Sequence, residues 1–370
     1  MTTTIRYISA LSVTGGNGST TGIAGANRAW TMAEALASIS GGVEYRVLNN
    51  GTYNITSTLS PTGNNSNFLL PSRIIGYDAN TLEPLNLRLN SNGSYNTSGL
   101  PFINLSNTVS IGSTTYQYLM FANLVISGSA NTTIFAFNGQ CNTFDNVHVH
   151  NHTGLSSSAL AAFGVGFRGQ ATNCTAVVSG PAGYGFSLSS TEAHLNNCIA
   201  FGSGMGAGLN NNSTVTNCLF LTPRGVLLAA SSQGIGMIRH CTFASNTGYC
   251  IAVRNDINMT GRVNINECLF MNGRRVITQA DGNGVEQTPT GLRPVHIFNN
   301  HFENTPLGTG IDTQFVFNNT TSSGSVMFVS TGTNDFRYVI DASGVGNRRF
   351  FNNNIGAMGT YVPLYRTRVY

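Results

Sequence analysis

The chain offers little conventional catalytic material, and its acids are the place to begin. It holds 14 carboxylates in 370 residues. Those in the repeat region are Asp145, Glu192, Asp256, Glu267, Asp281, Glu286 and Glu303. A pair on one face would suit glycoside hydrolysis, and a cluster would hold Ca²⁺. Measured from the repeat described below, Asp145 sits at −2, Glu192 at −6 and Glu267 at −1. These offsets place no two acids side by side, so isolated or ion-paired carboxylates are expected and no catalytic residue is assigned. His148, His150 and His152 alternate with Val147 and Val149. Strand geometry puts the three imidazoles on one face, opposite the valines. Two of them suit a zinc ion, but no third ligand lies nearby. The row therefore reads as an exposed interface, with no metal and no cofactor.

All 18 basic residues are Arg, which excludes any mechanism that needs a Lys base. Arg168 and Glu192 share the −6 offset on neighbouring repeats, and Arg224 and Arg274 share +6. Arg239, Arg254, Arg262, Arg274, Arg275 and Arg293 enrich the C-terminal half. Guanidinium groups match carboxylates of an acidic glycan or of another protein. A net charge of +4, spread along the chain, gives no nucleic-acid footprint. The glycine run Gly202–Gly208 is not followed by a helical pattern, so it reads as a coil corner and not a phosphate loop.

The element that positions these residues is a repeat. Asn or a stand-in, then Cys or a stand-in, then alternating apolar residues recur at Asn173-Cys174, Asn197-Cys198, Asn217-Cys218, His240-Cys241 and Glu267-Cys268. Weaker copies are Asn123-Leu124, Asn146-Val147 and Asn300-His301. The steps are 23, 27, 24, 20, 23, 27 and 33 residues, with a loop over 275–295 accounting for the last. A drifting period in the low twenties is that of a stacked solenoid. The fold class is all-β: a single-stranded right-handed parallel β-helix with a short N-terminal capping helix. Cys174, Cys198, Cys218, Cys241 and Cys268 form an inward structural ladder of free thiols. As small apolar side chains they should resist replacement by Ser, at about 1–3 kcal/mol each.

Residues 1–60 read as a cap: a strand at Ile5–Ile8, a helix with Met32, Leu36 and Ile39 on one face, and a strand at Val43–Val47. Residues 61–345 are the β-helix, with coil strands near Phe68–Leu70, Leu85–Leu89 and Phe102–Leu105, and later ones near Phe315–Phe317 and Val326–Val329. Residues 346–370 form a tail whose Tyr361, Tyr365, Arg366, Arg368 and Tyr370 suit docking. No apolar run reaches the roughly 18 residues of a membrane span, and no leader peptide is expected.

The opening pattern, closed by Gly51-Thr52-Tyr53, resembles right-handed parallel β-helix proteins related to pectate lyases. The closing pattern is similar to theirs too: Asp335-Phe336-Arg337-Tyr338, Ile340-Asp341-Ala342-Ser343-Gly344, then Asn354-Ile355-Gly356-Ala357. It departs at Asn354, where that group more often has Asp. The resemblance implies the fold and hosts lyases, hydrolases, adhesins and phage spikes alike. With a poor catalytic inventory, the expected role is a non-enzymatic structural protein of a bacteriophage virion, a capsid decoration or tail spike. It would be a homotrimer on the particle surface, contacting other virion proteins and a host glycan, but neither nucleic acid nor membrane. The alternative is an extracellular polysaccharide lyase or glycoside hydrolase.

Overall fold

A computed structural model describes residues 4–340, apart from 60–68, 91–94, 107–108, 114–116, 129–132, 138, 153–159, 181–182, 189–190, 211, 229–235, 245, 256–261, 323–325 and 331–334. The proposed docking tail 361–370 lies outside the described residues. The chain divides into two compact units: residues 1–87 with 97–193, and residues 88–96 with 194–370.

Each unit is built of coils with three short strands. In the first unit the leading strands are Thr4–Ile8, Val43–Leu48, Ser72–Tyr77, the start of Leu119–Gly128, the start of Thr143–His152, and Gln170–Thr172, all parallel and in register. The second strands run from Thr52–Ile55 through Phe102–Leu105 to Thr175–Val178. The third are Ile111–Ser113, Phe135–Phe137, Ala161–Val165 and Tyr184–Leu188. In the second unit the leading strands are His194–Asn196, Thr214–Thr216, Gly236–Arg239, Val263–Asn266, Val295–Phe298 and Val316–Phe317. Its second strands run from Ile199–Gly202 to Thr320–Ser322, and its third from Met205–Leu209 to Ile277–Ala280.

Parallel pairing at about 4.8 Å brings equivalent side chains into stacks. In the first unit Phe135, Phe163 and Phe186 stack at 5.5 and 5.0 Å between ring centroids, and Phe144 packs on both of the first two. In the second, Phe220, Phe243 and Phe270 stack at 5.1 and 4.9 Å. The cap helix is Met32–Ala37, started by a capping box in which Thr31 and Glu34 bond each other's backbone N–H, with Met32 and Leu36 buried.

The repeated phrase is a corner. Its Asn residues Asn146, Asn173, Asn197 and Asn217 all have φ near +55°. That left-handed conformation is tolerated best by Asn and Gly. It interrupts the ladder, and the residue two before each Cys turns its carbonyl toward the thiol. Cys218 Sγ donates to Thr216 O (3.1 Å), Cys241 Sγ to Arg239 O (3.3 Å) and Cys268 Sγ to Asn266 O (3.3 Å). Cys174 does the same to Thr172 O at 3.1 Å. All five ladder cysteines are buried and free. The thiol is therefore a donor as well as filler. Asn300 holds the same position and bonds the same way, to Phe298 O (3.0 Å) and Ile265 O (2.9 Å). The left-handed residue in that coil is Asn299, so the phrase there begins one residue earlier than the alternation suggests.

Other sequence expectations shift. Leu85–Leu89 is not a coil strand; only isolated antiparallel bridges occur at Pro84 and Leu89. Leu69 and Leu70 form no named strand, and Phe68 lies outside the described residues. Only the start of the glycine run is a corner, since Met205–Leu209 is a strand. Val326–Ser330 pairs antiparallel with Asp335–Ile340, which is a hairpin and not a coil.

A donor at the ladder position leads to a specific expectation. Cys241→Val removes the bond to the Arg239 and Val215 carbonyls and should cost roughly 1–3 kcal/mol in chemical denaturation. Cys241→Ser keeps a donor and should cost less, contrary to the apolar reading. A Ser variant weaker than the Val variant would show that packing alone matters.

Candidate functional site

The corner column of the second unit contains one local irregularity. It runs Asn197, Asn217, His240, Glu267, Asn299 and Asn318, all with φ between +53° and +56°. Two consecutive coils thus place His and Glu where the left-handed backbone favours Asn. Such conformations cost of order 1–3 kcal/mol for other residues and concentrate at functional sites. The two side chains meet. Glu267 Oε2 lies 3.1 Å from His240 Nε2 and accepts from Arg239 Nε at 2.6 Å. His240 and Glu267 are partly buried, whereas the Arg239 side chain is 45% exposed.

Beside this column runs a second, made by the ends of the leading strands: Thr216, Arg239, Asn266, Phe298 and Phe317 are register partners in succession. Every one is at least partly exposed. Phe298 and Phe317 stack at 5.3 Å with an interplanar angle of 6°. One column further, His296 stacks on Phe315 at 4.6 Å. The face therefore presents a His–Glu–Arg group, uncharged Asn and Thr side chains, and an aromatic end.

Sequence reasoning named Glu267 and Arg239 separately and treated His240 as a stand-in for Asn. The available signal was the double break in the Asn column, whose cost becomes evident only once φ is known. Arg168 and Glu192 do pair, at 2.7 Å on a solvent-exposed corner, both in left-handed conformation. Asp145 accepts from Asn173 Nδ2. Asp281 caps the backbone N–H of Asn283 and Val285 in its loop, and Asp256 lies outside the described residues.

Arg224 and Arg274 are not in one column. Arg224 pairs with Tyr249, and the register Ile251 to Ile277 places Arg275 next. The loop after Ala280 folds back here. Glu286 receives Arg274 Nη1 at 3.0 Å, Thr278 Oγ1 at 2.9 Å, and Arg275. Arg224 Nη1 and the Tyr249 hydroxyl reach Gly284 O at 3.3 and 3.2 Å. This group clamps a strap onto the third strands. Arg293 holds Asn255 O, and Arg254 and Arg262 are partly or fully exposed.

The histidine row is corrected. Val147 and Val149 are buried as alternation requires, but His148 is also 0% exposed. Its Nδ1 meets Thr175 Oγ1 at 3.2 Å and its Nε2 meets Asn146 Oδ1 at 2.8 Å. It offers a partner no surface. Alternation fixes which side of the strand a residue faces, and in this column, from Val125 to Thr175, the outer side is covered as well. In the second unit the equivalent Ile199 and Leu219 lie under Tyr95. His150 is partly buried, and the His152 side chain is outside the described residues. Burial holds His148 down to about 3 and His301 to about 4, and it lowers His150 as well. Among the described residues no group of three or more His, Cys, Asp or Glu side chains gathers to hold a metal ion.

With this geometry in place the relatives can be stated. Residues 164–337 match the family described as the right-handed beta helix region. The coil registers and this match give the chain the right-handed parallel β-helix fold. No curated protein matches it. Among solved structures it is similar to pectate lyase Pel9A at 13% identity and a TM-score of 0.39, over 78% of this chain and 79% of that one. It is also similar to a family GH136 lacto-N-biosidase from Eubacterium ramulus at 9% identity and a TM-score of 0.41, over 86% of this chain and 67% of that one.

Two expectations follow. His148 and His301 are neutral when folded, while unfolded imidazoles titrate near 6.5. The unfolded chain then binds more protons below that pH. Stability should be full above about pH 6.5 and fall through about pH 4, with a slope of up to about 2.7 kcal/mol per pH unit from the pair. His148→Gln should flatten the slope, as read by denaturation at stepped pH; an unchanged slope counts against it. Separately, His240→Asn and Glu267→Asn restore the corner's preferred residue. Each should keep or raise the melting temperature, because the strain released outweighs an exposed ion pair worth about 0–1 kcal/mol. A clear loss of melting temperature would mean the His–Glu pair is structural.

Proposed function

We propose that this chain acts on an acidic polysaccharide, cleaving it by β-elimination at His240, Glu267 and Arg239. The observation that carries the reading is the His–Glu–Arg contact at two corners that elsewhere use Asn. Hydrolysis by the two-carboxylate route needs a second acid across the glycosidic bond. The column neighbours of Glu267 are His240 and Asn299, Asn266 precedes it in the chain, and its ion partner is Arg239, so none of these described neighbours is a carboxylate.

Elimination requires different parts, and these are present. A uronate carboxylate makes the proton on its α-carbon removable once its charge is neutralised. Arg239 engages Glu267 through Nε, and its exposed guanidinium suits that carboxylate. With Nε2 donating to Glu267, the basic nitrogen of His240 is Nδ1. Glu267 orients the ring and stabilises the imidazolium that forms as His240 takes the proton. The electron pair left behind forms the ring double bond, and the glycosidic C–O bond breaks with its electrons on the leaving oxygen. A His base also removes the need for Lys, which the chain lacks. The similarity of both chain ends to pectate-lyase-like proteins favours an enzyme that acts on a polysaccharide.

A second reading is a structural protein of a phage particle, self-associated and exposed on the particle or outside the cell. The low count of acids, 14 carboxylates in 370 residues, favours it.

Turnover separates the two. Polygalacturonate, alginate and a neutral glucan are incubated with the protein, and ultraviolet absorbance follows the unsaturated product. Product is expected only from the acidic polymers, and His240→Ala should lower the rate about 100-fold or more. Absence of product from every acidic polymer overturns the elimination reading in favour of the structural one, and full activity in the variant overturns the assignment of His240 as the base.

A further inference from the structure

We infer that the open end of the coil stack at Phe317, Asn318 and Asn319 is a docking surface, and that its occupant is the phrase Phe351-Asn352-Asn353 of the same chain. Two coils close their leading strands with one phrase: Phe298-Asn299-Asn300, then Phe317-Asn318-Asn319. Each residue of the phrase has its own task. The Phe rings stack at 5.3 Å with an interplanar angle of 6°. The first Asn takes the left-handed corner, at φ +56° and +55°, and Asn318 Nδ2 donates to Asn299 Oδ1. The second Asn bonds inward: Asn300 Oδ1 accepts from the Cys268 N–H at 2.8 Å, and Asn319 Oδ1 from the Asn300 N–H at 2.9 Å. Each coil thus supplies partners to the coil before it.

The same tasks are open at Phe317. Among the described residues Val316–Phe317 pairs on one side only, with Val295–Phe298, and Thr320–Ser322 on one side only, with His301–Glu303. Rings stacked face to face between adjacent coils turn the free face of Phe317 along the coil axis, and the residue is 52% exposed. In the series of inward bonds the next donor is the Asn319 N–H, and the next acceptor is an Asn one coil further on. The fitting partner is therefore a strand that ends in an aromatic ring, a corner Asn and an inward Asn. Phe351-Asn352-Asn353 has that order. Its flanks match as well: Phe350 falls at the position of Ile297 and Ile355 at that of Phe302, and both of those are buried. The step from Asn319 to Asn353 is 34 residues and contains the hairpin Val326–Ser330 with Asp335–Ile340. The 32-residue step from Cys268 to Asn300 likewise contains the strap. An unpaired strand edge is a template for other chains, so an occupant from the same molecule also keeps the stack from extending by self-association.

The experiment uses the full chain carrying Phe317→Cys together with Phe351→Cys. Equivalent residues of adjacent strands lie about 4.8 Å apart, within the Cα separation that a disulfide spans. Mild oxidation should join the two positions within one molecule, as read by peptide mass mapping and by monomer mass on a non-reducing gel. A control with Phe317→Cys and Tyr365→Cys should stay unjoined. Hydrogen exchange gives a second reading without new thiols. Phe351→Ala should speed exchange of the Asn319 amide roughly 3- to 10-fold, as loss of one stacked aromatic pair predicts. The Thr242 amide, bonded to Cys218 O at 2.8 Å in mid-stack, should keep its rate. A bond between positions 317 and 351 of two different molecules gives the surface to a second copy and overturns the assignment to the same chain. A control joined as readily, no bond between the two positions, or unchanged Asn319 exchange in Phe351→Ala overturns the docking itself.

Discussion

The corner hydrogen bond is the constraint on which the rest of this protein depends. A left-handed residue turns the chain between two short strands, and the turn leaves a carbonyl that the next side chain must satisfy from inside. Cys does this in four coils of the second unit and in Cys174 of the first; Asn300 does it near the C-terminal end, and Asn319 Nδ2 reaches Ile297 O of the neighbouring coil at 2.8 Å. A buried carbonyl without a donor is costly; from Cys174 onward the donor changes identity without disappearing, whereas Leu124 and Val147 hold the same position in the preceding coils as apolar filler. This is why the ladder tolerates a change from thiol to amide while the apolar stacks around it remain Phe on Phe.

The same constraint explains how a repetitive scaffold can carry a site. Because the corner backbone is set by its neighbours above and below, a residue poorly suited to it can be held there. His240 and Glu267 occupy such corners, and the one-coil step between them is the distance that lets a carboxylate meet an imidazole. Arg239 joins because it immediately precedes His240. A solenoid converts sequence offsets into fixed spacings, so groups more than two dozen residues apart become neighbours without any loop having to bring them together.

Burial reorganised the other polar groups. His148 and His301 sit on the outer side of their strands and are nevertheless covered, which keeps both neutral. The arginines of the C-terminal half divide into separate tasks. Arg274 and Arg275 share Glu286 and, with Arg224, fasten the strap over Tyr249, whereas Arg239 faces outward beside the aromatic end of the strip.

Residue pattern alone was enough to determine the stacked coils, the inward free cysteines, the left-handed tolerance of the Asn positions, the cap helix and the Arg168–Glu192 pair. Each depends on local chemistry repeated at a countable period, and a period is visible in one dimension. What required the tertiary structure was everything set by register or by covering segments. Arg224 lies six residues after Cys218 but Arg275 seven after Cys268, and that one-residue difference puts Arg275, not Arg274, in the column of Arg224 and Tyr249. A one-residue shift at Asn299 changed which Asn takes the corner. The covering of His148 could not be read from its alternation, because periodicity specifies a side and not what lies over it. The meeting of His240, Glu267 and Arg239 was likewise hidden: the three residues were all in view, but the strain that sets them apart belongs to the backbone, and the backbone angle is imposed by the stack.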